Sequence, residues 1–475
     1  MSDSRSHRPN RRRRQSATPT QTTSQEFPFQ LMSSEHAELE MGQRKHGSNM
    51  PNRQANERLQ ELFSSIADQA VSSTVTTLWQ VDFPPRALST YLVEMAALRV
   101  SWMSFSFHHA TFNEQHERFW DFEKTREARE AYEPAWLALY FAILSAVLLL
   151  HDLTDDSMGD NLHLGPGDKA SKLRKWFDSA LFYLHRAEFL RVPRLLCVQA
   201  IVTLRIVFES LGEHQCFLHV WPIAIRQAQA LGICKESQLV KMPPREAELC
   251  RRLWWSLIIT DWLPVPLRTP MILSNDFDTR LPALTNEDEL GWDPEFELDS
   301  ELSHSRQEPR HLPIYYQLSM IQAATVYNEF HTLMRVVRFP DANAAAAFVQ
   351  RTDQKIADII AGLPSFLQTA NDDEHANSDA DEDADADSGH AGAGIGTDDD
   401  WVALQRTDIT VALLQMRIDI NQALQGRYRA VNDCGSESNP DSAPGQNRAI
   451  AICFGSSRTI ISLALRSPSG HFRFW

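Results

Sequence analysis

The chain has 475 residues, 43% of them hydrophobic and 23% charged, with 12 Trp and 24 Phe, which is ample apolar material for one large or two ordinary globular domains. Its net charge of −16 is concentrated: twelve acidic residues and no Lys or Arg lie between Asn371 and Asp400, leaving about −4 elsewhere, so the folded part is neither an acidic nor a basic body. The six cysteines, Cys197, Cys216, Cys234, Cys250, Cys434 and Cys453, stand singly, which argues against a zinc site and for buried, reduced thiols.

Residues 1–56 are rich in Ser, Thr, Gln, Asn and Arg and poor in large apolar residues, the composition of a disordered basic arm. The arm has no apolar stretch of the kind a secretory signal needs. Its cluster Arg11, Arg12, Arg13 and Arg14 is a candidate nuclear-localisation signal or phosphate contact. From Asn56 the pattern turns helical. Glu57–Ala70 carries Leu59, Leu62, Phe63 and Ile66 on one face, and after Pro84 and Pro85 a second helix is expected over Leu88–Val100. His108, His109 and His116 then fall close together, but no carboxylate accompanies them at a metal-ligand spacing, so they read as a polar loop among aromatics and no metal is expected.

Pro134 is placed for the first turn of a helix running to Leu150. That run is too short and too Ala-rich for a membrane span and reads as a fully buried helix, so no membrane contact is expected. Lys172–Leu190 is amphipathic, Pro193 opens a helix reaching Phe208 before Gly212, and a third continues to Leu231 and Gly232, with Pro222 implying a kink or a late start. Helices of about 20 residues joined by Pro and Gly predict antiparallel hairpins, and hence an all-α fold.

The segment Arg245–Pro282 is the most distinctive. Leu249, Cys250, Leu253, Trp254, Leu257 and Ile258 recur with a helical period that Asp261 continues, and Glu248 precedes Arg251 and Arg252 at the spacing of helix-surface ion pairs. Pro264, Pro266 and Pro270 end the helix, and the acidic turn Asn275, Asp276, Phe277, Asp278 leads to Leu281 and Pro282. Asp261 needs a partner if buried, and Arg268 is the nearest candidate. Arg251, Arg252, Leu253, Trp254, Trp255, Asp261, Arg268, Pro270, Asp276, Asp278, Leu281 and Pro282 together form a pattern that resembles the fungal-specific transcription factor domain, the middle homology region of zinc binuclear cluster regulators. Val198, Gln199 and Ala200, with Ala224, Arg226, Ala228, Gln229, Leu231, Gly232 and Ile233, extend the likeness. The chain departs from the family in having Asp261-Trp262 for Asp-Arg and Leu267-Arg268-Thr269-Pro270 for Gly-Arg-Pro. The motif residues read as architectural.

Beyond the motif, Asn286–Arg310 reads as a polar surface loop, Ile314–Val337 and Thr352–Leu363 as helices, and 371–400 as an acidic low-complexity insert, a solvated spacer. Helices resume over Trp401–Gln425 and Ala449–Leu465. The expected architecture is a packed array of helical hairpins: arm 1–56, domain 57–370, insert 371–400, and C-terminal helices 401–475 of the same domain, which end where family members usually continue.

The resemblance implies a nuclear regulator of RNA polymerase II transcription, of a metabolic pathway or gene cluster, acting through dimer or coactivator contacts or a small-molecule effector. The family's six-cysteine zinc cluster would stand near a basic segment, but the first cysteine is Cys197. DNA would therefore be reached indirectly, or through a module these residues lack. The alternative is an all-helical enzyme of unrecognised type. A terpene cyclase is disfavoured, because Asp155, Asp156 and Asp160 imitate its first carboxylate motif loosely and the second fails at Pro282 and Ala283. No Gly-rich phosphate loop, nucleophile elbow, His-Glu-x-x-His or paired cysteine motif is present, so no cofactor and no catalytic residue is expected.

Overall fold

The computed structural model describes residues 73–122, 125–150, 166–263, 269–285, 311–337, 339, 342–369, 400–433 and 443–466. Two contact units divide the chain, Met1–Phe63 and Ser64–Trp475, and every described residue belongs to the second. The regular elements of the described residues are all helices, without a strand: α1 Arg86–Arg99, α2 Ser101–Ser104, α3 His109–Phe122, α4 Arg126–Glu130, α5 Pro134–Leu150, α6 Pro166–Arg186, α7 Leu195–Thr203, α8 Arg205–Ser210, α9 His214–Ala230, α10 Glu236–Leu239, α11 Pro244–Trp262, α12 Ile314–Val336, α13 Ala342–Ala361, α14 Asp400–Asp433 and α15 Ala443–Arg466. The expected helix over Glu57–Ala70, the loop 286–310, the insert 371–399 and Arg11 to Arg14 lie outside the described residues.

α5 is the axis of the first half. Every residue from Ala135 to Leu148 is buried, as a helix apolar on all sides requires. α1, α6 and α7 pack around it. Trp136 stacks on Tyr140 with ring centroids 5.4 Å apart, and Phe112 stacks on Trp136 at 5.5 Å. The chain is fastened to this half at its first described residues: Thr74 donates through its amide and hydroxyl to Asp178 at 2.6 and 2.7 Å, and Trp176 Nε1 donates to the Asp82 carbonyl at 2.9 Å.

A second hydrophobic core joins α12, α13 and α14, with Trp102 and Phe105 reaching in from α2 and its C-terminal edge. Tyr316 donates to Asp408, Tyr327 donates to Asp419 at 2.9 Å, and Arg417 forms a two-pronged bridge to the buried Asp353 at 2.8 and 2.9 Å. The two cores meet along a polar seam. Thr203, Ser106 and Ser104 link hydroxyls at 2.7 and 2.8 Å, Ser256 Oγ donates to the Ser104 carbonyl at 2.6 Å, and the Gln317 amide donates to Ser256 Oγ and the Arg252 carbonyl, each at 2.8 Å.

α6 begins and ends earlier than expected and α14 and α15 run longer, and three further boundaries also differ from the sequence expectation. The helix opened by Pro193 is interrupted at Leu204, next to Thr203, whose Oγ1 bonds back to the Gln199 carbonyl at 2.8 Å while it serves the seam. α9 begins at His214, eight residues before Pro222, so the helix does not start late and instead forgoes one amide in its interior. α13 starts at Ala342 rather than Thr352, since the alanine run preceding Phe348 has strong helix propensity but few large side chains to mark a face. Gly212 (φ 70) and Gly232 (φ 78) supply the left-handed residue after α8 and α9, where Glu213 and Ile233 donate back to Phe208 and Ala228.

The three histidines go to separate partners. His108 Nδ1 meets Thr111 Oγ1 at 2.8 Å and His109 Nε2 meets the Val93 carbonyl at 2.9 Å. His116, fully buried, places Nε2 2.7 Å from Ser89 Oγ, the hydroxyl that also bonds Tyr140 OH and receives Trp120 Nε1. Burial, opposed by Glu117, lowers the His116 pKa to about 4. The unfolded state therefore binds the proton first as pH falls from the ordinary value of 6.5 toward 4, and stability declines through that window by up to about 1.4 kcal/mol per pH unit from this group. Thermal melts between pH 7.5 and 4.5 check this. The His116→Gln variant is expected to show a flatter pH dependence, and an identical slope would refute the assignment.

Candidate functional site

The segment singled out by sequence folds as a helix and a strap. α11 starts with Pro244 in its first turn and runs to Trp262, and residues 269–285 return along it in irregular conformation. An irregular segment leaves backbone donors and acceptors that need partners. Side chains of α11 supply them in sequence. Asp261, fully buried, accepts the amides of Met271 and Ile272 at 2.7 and 2.8 Å. Trp262 Nε1 donates to the Ile272 carbonyl and Trp255 Nε1 to the Arg280 carbonyl, both at 2.8 Å. Glu248 Oε1 accepts the Ala283 amide at 2.9 Å, and Arg252 Nη2 donates to the Thr285 carbonyl at 2.9 Å.

The charged residues of α11 form a continuous network beneath the strap. Arg252 Nε donates to Glu248 Oε1 at 3.0 Å with both side chains only 3% exposed, so this pair is interior rather than the helix-surface pair expected from spacing. Arg251 reaches Glu248 at 3.4 Å and clasps Glu236 of α10 with Nε at 3.2 and 3.3 Å from its two oxygens. Glu236 also accepts the Arg280 amide at 3.0 Å. The hydrogen bond from Arg251 holds the Glu236 carboxyl below its usual range. Burial alone would lower the Arg251 pKa, but Glu236 and Glu248 outweigh it and raise it.

The acidic turn docks on α10 and the loop before it. Asp278 Oδ1 accepts the Glu236 amide at 2.9 Å, the Asp278 amide donates to the Cys234 carbonyl at 3.2 Å, and Thr279 Oγ1 donates to the Ile233 carbonyl at 3.1 Å. Asp276 is exposed, and its carbonyl receives Lys235 Nζ at 3.1 Å. Phe277, between the two aspartates, enters a cage of Trp254, Trp255 and Trp262 with centroids 5.9, 5.5 and 6.3 Å away. Pro270 lies half-buried where the strap begins. Arg268, the partner expected for Asp261, lies outside the described residues, and so do Asp155, Asp156 and Asp160.

Glu236 and the strap amides are the contributors that the helical pattern alone does not reveal. Phe277 carries a signal, since a large apolar ring inside an otherwise polar turn implies a pocket for it. The thiols nearby are unreactive by environment: burial pushes Cys250 up to about 12 and Cys197 up to about 11. Among the described residues no group of three or more His, Cys, Asp or Glu is arranged to hold a metal ion.

A groove between α12 and α13, about 440 Å³, is lined by Leu318, Ile359 and Pro364 with Tyr315, Ser319, Gln322 and Asp358 as polar groups. Its volume lies in the range of small-molecule sites, and its walls mix an apolar floor with a few polar groups.

The clamp makes quantitative expectations. Asp261→Ala strips two buried amides of their acceptor and is expected to cost about 3 kcal/mol in urea unfolding. Arg252→Ala leaves Glu248 buried beside one fewer cation and is expected to cost about 3–5 kcal/mol, part of which Arg252→Met with Glu248→Gln recovers. Losses under about 0.5 kcal/mol, the range of ordinary surface substitutions, would show that the clamp does not hold the strap.

The fungal-specific transcription factor domain matches residues 102–346, just over half of the chain. An uncharacterized transcriptional regulatory protein of Schizosaccharomyces pombe is 25% identical over 207 residues, covering 42% of this chain and 31% of the relative. The aurofusarin cluster transcription factor of Gibberella zeae is 33% identical over 89 residues, 19% of this chain and 13% of that protein. The chain thus spans less than a third of the length of either relative.

Proposed function

The chain belongs to the fungal-specific transcription factor domain family, and from that membership we propose that it is the regulatory region of a fungal transcriptional regulator, working in the nucleus through contacts with protein partners. The observation that carries the reading is the family match over a domain in which the motif residues Arg251, Arg252, Trp255, Asp261 and Asp278 serve internal bonds. Arg251, Arg252, Trp255, Asp261 and Asp278 hold the strap to α11 and α10, leaving regulation to surfaces rather than to a reaction. Both named relatives are transcriptional regulators, which supports control of gene expression as the output, and the second by its name belongs to a gene cluster. No catalytic role is assigned. The Asp276 and Asp278 turn that a cyclase would offer to a metal is instead bonded to Lys235 and Glu236 through the Asp276 carbonyl and the Asp278 carboxylate.

DNA is reached in this reading through a partner or through a zinc cluster that these 475 residues do not contain. For a small effector this reading points to the groove between α12 and α13, where an apolar body would lie on Leu318 and Ile359 and a cationic or hydroxyl group would face Asp358.

Two experiments test the reading. The full chain fused to a heterologous DNA-binding domain is expected to change expression from the matching reporter severalfold in a fungal host. Expression equal to that of the DNA-binding domain alone would overturn it. Replacing Arg11, Arg12, Arg13 and Arg14 by Ala is expected to abolish nuclear accumulation of a fluorescent fusion, and unchanged accumulation would remove that cluster from the account.

A further inference from the structure

The turn between α6 and α7, residues 187–194, holds two large aliphatic side chains in solvent, and several bonds keep it that way. Just past α6, Glu188 stands in the left-handed region (φ 53), a conformation that glycine adopts without strain and a glutamate does not. Its carbonyl accepts the amides of Arg191 and Val192 at 2.7 and 3.0 Å. The buried Gln227 of α9 pins the turn twice, donating to the Phe189 carbonyl at 2.6 Å and accepting the Arg194 amide at 3.1 Å. Ala187 and Phe189 point into the core. Leu190 and Val192, between the two pins, are 63% and 39% exposed. A turn fixed by this many bonds presents them in a set position rather than through slackness.

The charge around them is mostly of one sign. Arg186, Arg191 and Arg194 are exposed, against the single carboxylate of Glu188 in the same turn, and Glu133 reaches Arg194 only at 4.0 Å. α9 has no acidic residue, and next to Gln227 it exposes Arg226, whose partner Gln229, at 2.8 Å, is uncharged. The folded part as a whole is slightly negative, so this excess of cations is local.

Arginines around aliphatic side chains select a ligand that offers carboxylates and apolar groups together. Single-stranded nucleic acid would meet the arginines with phosphate, but its bases favour aromatic platforms, and no exposed side chain of the turn is aromatic. The acidic stretch of this chain, 371–399, offers carboxylates, yet Ile395 is its only large apolar residue, so it would leave Leu190 and Val192 uncovered. A second copy of the turn would set arginine against arginine.

We infer that the α6–α7 turn is a docking site for an acidic segment of a partner protein that carries aliphatic or aromatic side chains among its carboxylates. Leu190 and Val192 receive the apolar side chains, and Arg186, Arg191, Arg194 and Arg226 the carboxylates.

Fluorescence anisotropy of the full chain with a labelled peptide repeating Asp-Leu-Asp-Asp-Leu should give a Kd on the order of 10 µM, because the patch is at the small end of protein interfaces. Arg191→Glu with Arg194→Glu, and separately Leu190→Ser with Val192→Ser, should each weaken binding about tenfold or more. The far-UV helical signal should stay the same, since all four side chains are exposed. The peptide with Ser in place of Leu should bind about tenfold more weakly. Equal binding of that Ser peptide, or of a peptide copying residues 371–399, would overturn the inference, as would binding untouched by either double variant. Vesicles of anionic lipid that bind the parent chain and neither double variant, with no peptide bound, would give the turn to a membrane surface and overturn it as well. The site rests on the reading of the chain as a regulator working through protein partners, and each can fail alone. Peptide binding with a silent reporter would sink only that reading, and an active reporter with no peptide bound would sink only the docking site.

Discussion

The carboxylate of Glu248 sits in the interior, where an uncompensated charge would be untenable, and every group it touches is fixed as a result. It holds Arg252 from its own helix, meets Arg251, and accepts the Ala283 amide from the strap. Arg251 carries the network on to Glu236, and Glu236 to the Arg280 amide. A helix, a short neighbouring helix and a returning irregular segment are thereby bound into one piece by groups that cannot be satisfied separately. Buried networks of this kind are stabilising only when complete, which makes the geometry of the whole segment interdependent.

That interdependence explains why the distinctive residues of this family motif contain so little surface chemistry. The strap has no regular secondary structure to pair its backbone, so the helix provides acceptors and donors at matched intervals: Asp261 and Trp262 near its end, Trp255 in the middle, Glu248 and Arg252 near its start. Phe277 adds the apolar counterpart by filling the tryptophan cage. The motif is a fastening that holds α10, α11 and the strap together.

Much of the helical order was legible from periodicity and from Pro and Gly, since α1, α5, α12 and the position of α11 follow from apolar spacing and chain breakers alone. The errors share a cause. The Glu248 and Arg252 pair looked like a surface pair because spacing along a helix says which residues are neighbours, not which side of the helix another segment will cover. Two partners of Asp261 are the Met271 and Ile272 amides, which no side-chain pattern encodes, while Arg268, the cation expected for it, lies outside the described residues. The alanine-rich start of α13 offers propensity without a face.

The polar seam between the two cores has a consequence for shape. Met103, Ile259, Leu263 and Leu318 touch both cores, so apolar contact alone would let one half slip against the other by a helical turn at little cost. Directional bonds from Ser256 to the Ser104 carbonyl and from Gln317 to Ser256 and Arg252 admit a single register. The seam works as a key rather than as glue, setting how the two cores register against each other.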